Sequence, residues 1–154
     1  MSKADDRIDI FRTWIGPPLP RLSERIFLVP SATADNFDAA LCMLDDGFRC
    51  IRPVIEEAVQ KYSETVDIDI PVHQWRKIIG AWESLLGNLE SDLKSQDPYD
   101  YPPYSMGRWV TLQLSDTHLS RADALQQFRC FVREVIEYLE RHLDTSDHIT
   151  LTSL

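Results

Sequence analysis

Apolar residues recur along this chain with two different periods, and the longer period dominates. From about Ala34 to Tyr62 they fall at Phe37, Leu41, Leu44, Phe48, Ile51, Ile55, Ala58 and Tyr62, in alternating steps of four and three. Steps of that kind keep every side chain on one face of an α-helix. Gly47 and Pro53 lie inside the stretch, and both disfavour a helix interior, proline by about 3 kcal/mol. The apolar phase runs straight across both. The spacing therefore predicts one helix kinked at Pro53, with two helices parting near Asp46 and Gly47 as the alternative. Ser31 or Thr33 would supply its N-cap.

Two further helices follow. Val72, Trp75, Ile79, Trp82, Leu86, Leu89 and Leu93 mark one over roughly residues 72–93, with Pro71 at its start, where a missing N–H costs little. Gly80 and Gly87 share one side of it, which predicts the close approach of a neighbouring helix there. Leu125, Phe128, Val132, Val135 and Leu139 mark another over roughly 121–143, opened by Ser120 and Asp123 in the manner of a capping box. Ile8, Phe11 and Ile15 suggest a fourth helix, ended by the proline-rich run at residues 16–20.

Shorter segments alternate with a period of two: Val66, Ile68 and Ile70; Val110, Leu112 and Leu114; Ile149 and Leu151. Ile26 to Val29 is a compact apolar run. Each reads either as a short strand or as an extended connector. The resulting expectation is a mainly α fold, a bundle-like core of three to four amphipathic helices with room for a small accessory sheet. The 154 residues are the size of one domain, divided into an N-terminal segment (1–30), a helical core (31–143) and a C-terminal tail (144–154).

Charge narrows the function classes. The net charge is −9, which argues against a phosphate-neutralising surface and against docking on anionic lipid. No apolar run approaches the roughly 18–20 residues of a membrane-spanning helix, and the acidic N-terminus lacks the apolar stretch of a signal peptide. Cys42, Cys50 and Cys130 are odd in number and match no disulfide framework. All three fall in apolar helical runs, so the expectation is buried free thiols in the cytoplasm.

Motifs for catalysis are missing. The sequence holds no G-x-S-x-G, no glycine-rich phosphate loop, no H-E-x-x-H and no C-x-x-C. Asp116 and His118 form a D-x-H pair, which alone is a weak metal signal set in loop-like sequence. Neither a cofactor nor a metal is expected.

Two features point to binding. Residues 32–70 hold nine acids against three basic residues, with Asp45, Asp46, Glu56 and Glu57 along the first helix. Such a segment steers a basic partner. Asp97, Tyr99, Asp100, Tyr101 and Tyr104 lie among Pro98, Pro102 and Pro103, a stiff loop whose tyrosines resemble the anchors of binding surfaces. The reading is a non-catalytic acidic binding protein, an inhibitor or immunity-type protein that neutralises a basic toxin or nuclease. It would contact that protein and no nucleic acid directly. Two alternatives accompany it. Surplus apolar helix faces would allow a self-associating scaffold. A site assembled from His73, His118 and Glu83 would make a helical enzyme.

Overall fold

A computed structural model describes residues 11–16, 25–33, 39–59 and 67–153. It overturns the helical-bundle expectation. The chain forms a mixed α/β fold with a five-stranded sheet: β1 (Thr13–Ile15), β2 (Arg25–Pro30), β3 (Leu41–Leu44), β4 (Ile68–Pro71) and β5 (His148–Ser153), in the order β1-β3-β2-β5-β4. Every pairing is antiparallel. Among the described residues five α-helices accompany it: α1 (Asp45–Ala58), α2 (Val72–Gly87), the short α3 (Leu89–Asp92), α4 (Met106–Ser115) and α5 (Arg121–Leu143).

Strand alternation sends Ile26, Leu28, Leu41, Met43, Ile70, Ile149 and Leu151 into one core shared with the helices. Phe27, Val29 and Cys42 face the other way and form a small second cluster with Ala40 and Trp14. β2 and β3 are thus buried on both faces, which is why their sequences read as continuous apolar runs rather than as alternation. Toward the β4 edge the same outer face turns polar. Thr150 donates to Asp69 at 2.6 Å, and Thr152 donates to Asp67.

α2 joins the layers through its two buried tryptophans. Trp75 donates its indole N–H to the Ile149 carbonyl in β5 at 3.1 Å, and Trp82 donates to the Ile51 carbonyl in α1 at 3.2 Å. Buried indole N–H groups need such partners. Tyr138 of α5 donates to the Ala39 carbonyl at 2.5 Å, and burial pushes its hydroxyl up to about 12, so it stays protonated and keeps donating.

Several expectations change. The helix predicted over 34–62 begins only at Asp45 and ends at Ala58, with Pro53 inside it; residues 34–38 and 60–62 lie outside the described residues. Leu41 and Leu44 fit the helical phase by coincidence and belong to a strand. The Ser31 hydroxyl accepts from the Asp147 N–H at 2.9 Å and fastens the α5–β5 connection. The strand-like alternation at Val110, Leu112 and Leu114 is α4, where Val110, Thr111 and Leu114 are the buried positions. That is a helical spacing with a threonine hidden in it. Thr13–Ile15 is strand, not the end of a fourth helix; Ile8 lies outside the described residues.

Among the described residues no helix packs closely on Gly80 or Gly87, since a Cβ at either would meet nothing within 4 Å. Cys42 and Cys50 are buried free thiols, but Cys130 is exposed. By contrast α5 spans Arg121–Leu143 as predicted, with the Ser120 hydroxyl accepting from the Asp123 N–H. No helix among the described residues is long and apolar enough to cross a membrane.

Candidate interaction surface

The loop from Ser95 to Tyr104 is built by its own side chains. Asp97 accepts from the Tyr99 N–H at 2.9 Å and starts a single 3₁₀ turn, Pro98–Asp100. Ser95 donates to Asp100 and accepts from the Asp97 N–H at 3.1 Å. The Tyr101 hydroxyl accepts from the Ser95 N–H and donates to the Ser95 carbonyl, both at 3.0 Å, closing the loop on itself. Asp97, Asp100 and Tyr101 are therefore structural members of the loop, and Tyr101 is half-buried against the core.

The neighbouring helices fix its position. Ser105 caps α4 by accepting from the Arg108 N–H at 3.2 Å, and it also donates to the Pro102 carbonyl at 2.6 Å. Arg108 donates to the Pro98 carbonyl at 3.2 Å and lays its guanidinium 5.2 Å from the Tyr99 ring centre, a cation–π contact. Arg121, at the start of α5, donates to the Leu93 carbonyl at 2.8 Å. A Cβ on Gly107 would stand 2.5 Å from the Tyr101 ring, so only glycine admits that packing.

Two tyrosines remain outside. Tyr99 is 75% and Tyr104 74% exposed. Tyr104 also holds φ at 61°, among the described residues the one non-glycine residue with positive φ. That left-handed backbone costs a bulky side chain of the order of 1–2 kcal/mol.

The predicted acidic residues divide. Asp45 pairs with Arg49 at 2.8 Å, and the Arg49 guanidinium lies 5.6 Å from the Trp109 ring in the first turn of α4. The start of α1 is thereby tied to the turn of α4 that Arg108 and the loop share. Asp46 is exposed there, and together with burial it pushes the Cys50 thiol upward, burial being the larger cause. Glu56 pairs with Arg52 at 2.8 Å. Glu57 is exposed beside it, and the two lie roughly 16–18 Å along the helix axis from Asp45. The structure thus links Asp45, through Arg49, to Trp109 at the start of α4, next to the Arg108 that packs on Tyr99; Asp46 makes no described contact there, and Glu56 and Glu57 lie at the far end of α1.

The residues considered for catalysis are scattered. His73 and Glu83 are exposed on α2, and His118 is exposed in the turn after α4, two residues from Asp116. Among the described residues no group of three or more histidines, cysteines and carboxylates could hold a metal ion.

Sequence reasoning misses Ser95, Gly107, Arg108 and Arg121, which fix the loop. The serine three residues before Arg108 is a readable N-cap signal; the long reach of Arg121 carries none. No family model matches the chain, and neither a curated protein nor a solved structure is significantly similar to it.

Proposed function

We propose that this chain is a non-catalytic acidic binding protein that neutralises a basic protein partner, as an inhibitor or immunity-type protein neutralises a toxin or nuclease. The observation that carries this reading is Tyr104, an exposed aromatic side chain held in left-handed backbone in the same loop as the equally exposed Tyr99. Local strain at an exposed residue is retained where the surrounding structure over-determines it, and such strain gathers at functional positions. A stiff loop loses little entropy on binding, and tyrosine has few torsions to freeze. Asp46, exposed in the first turn of α1, adds a negative charge that suits a basic partner.

The reading includes a cytoplasmic location, supported by three free cysteines. The apolar faces that motivate self-association are largely spent in the chain's own core: Trp75, Ile79, Trp82, Leu86, Phe128, Val132, Val135 and Leu139 are all buried.

Affinity capture of the tagged chain from its native cells, at low and moderate salt, tests the proposal. A single stoichiometric basic protein is expected. It should be lost as salt rises, and lost from a Tyr99→Ala, Tyr104→Ala double variant that melts like the parent. Recovery of the bait alone, or a partner indifferent to both tyrosines, would defeat the reading.

A further inference from the structure

A groove of about 510 Å³ opens between α2 and α5, within the range of roughly 300–1,000 Å³ in which ligand pockets fall. Glu83, Leu86 and Gly87 line it from α2, and Arg133, Ile136, Glu137 and Glu140 from α5. Their spacings of three and four make each set one stripe of its helix. The floor is apolar, because Leu86 and Ile136 are 7% and 6% exposed and belong to the core. The depth comes partly from Gly87, whose missing side chain nothing replaces within 4 Å.

Around this floor stand three carboxylates against one guanidinium. Among the described residues, none of the four is within ion-pair distance of an opposite charge. An apolar floor under a carboxylate rim matches one chemistry closely. Arginine and lysine lay their methylene stems on apolar surface and carry the cation at the tip. Arginine fits better, since its planar fork can meet two carboxylates at once.

We propose that the groove docks a basic segment of a partner protein, with one arginine or lysine stem on Leu86 and Ile136 and its cation among Glu83, Glu137 and Glu140. The proposal shares with the tyrosine-loop reading only the sign of the partner's charge and stands independently of it.

The test is a nitrogen-15 NMR titration of the full chain with a short amphipathic Leu/Ala/Arg peptide. A Leu/Ala/Glu peptide of the same spacing is the control. With the basic peptide, the Gly87, Arg133 and Ile136 amides should shift saturably; with the acidic one they should not. Changing Glu83→Gln, Glu137→Gln and Glu140→Gln together should weaken binding about tenfold or more at low salt and less at high salt, since the three rim charges that face the cation are lost at once. Gly87→Leu should abolish binding by filling the groove while leaving the melting temperature at or above that of the parent. Tyr99→Ala with Tyr104→Ala should leave it unchanged, which separates this result from the fate of the loop. Shifts spread evenly over Asp46, Glu57 and the other exposed acids would overturn the proposal. So would the absence of shifts, or undiminished binding by Gly87→Leu.

Discussion

The surface around the start of α4 and the groove between α2 and α5 are built on opposite principles. In the loop leading into α4 most side chains close on their neighbours: the Tyr101 ring fills the space beside Gly107, and Ser95 and Asp97 spend their oxygens inside the loop, while Asp45 at the start of α1 is closed by Arg49. What remains free is presented outward on Tyr99 and Tyr104. In the groove the opposite holds. A glycine faces open space, and three glutamates with no ion-pair partner among the described residues stand over an apolar floor. One surface presents side chains and the other receives them. The contrast also separates charge density along the chain from charge available in space. α1 carries the densest acids, yet its i,i+4 arginines neutralise two of them at 2.8 Å, whereas the groove gathers its acids from positions 83, 137 and 140.

The largest effect that would sharpen this contrast is expected at the two glycines. Gly107→Ala forces a methyl group into the Tyr101 ring and should cost roughly 1–3 kcal/mol, the usual range for overpacking. Urea denaturation would measure it, and Tyr101 fluorescence or NMR would show the ring displaced. A loss below about 0.5 kcal/mol, inside ordinary surface variation, would mean that the loop is looser than its hydrogen bonds imply.

Gly87→Ala should have the opposite sign and a smaller size. Its Cβ meets nothing, so the variant should gain about 0.5–1 kcal/mol from helix propensity, less at a helix end. Destabilisation there would break the comparison, because it would reveal a hidden clash on the groove side.

The acids should give effects no larger than these, ending with the smallest of all, and the cleanest separation. Asp45→Asn removes both the Arg49 pair and a charge at the helix N-terminus, and should cost about 0.5–1 kcal/mol, less at high salt. Neutralising Glu83, Glu137 and Glu140 together should leave stability within about 0.5 kcal/mol of the parent or raise it, since no ion pair is broken and like-charge repulsion is relieved. Equal losses from both changes would erase the distinction between closed and open acids.

Legibility of the fold follows how one-sided each element's burial is. α5 is readable to its ends because it buries one stripe, from Leu125 to Leu139, and starts at a serine cap. β4 and β5 are noticeable because Asp67, Asp69, Thr150 and Thr152 face outward between apolar neighbours. β3 merges into an apparent helix because Leu41 to Leu44 is apolar on both faces, and four such residues fit either period. α4 reads as a strand because buried Thr111 stands where a helical stripe would call for an apolar residue. Within the candidate site the tyrosines and aspartates are visible as a composition. Their separation into loop-building members (Asp97, Asp100, Tyr101) and outward ones (Tyr99, Tyr104) is not.

Local sequence dictates the helical stripes of α2 and α5, the acidic balance, the stiff tyrosine–proline loop and the capping of α5. Apart from the overall charge, each depends on residues a few positions apart, and short-range chemistry settles such matters. Long-range packing dictates that the short apolar runs join into one antiparallel sheet, that Arg49 reaches Trp109 while closing Asp45, and that Glu83 stands across a groove from Glu137 and Glu140. Those outcomes depend on which distant segments share the interior. Burial on two faces removes the periodicity that would mark them, and a groove between helices leaves no trace along either one.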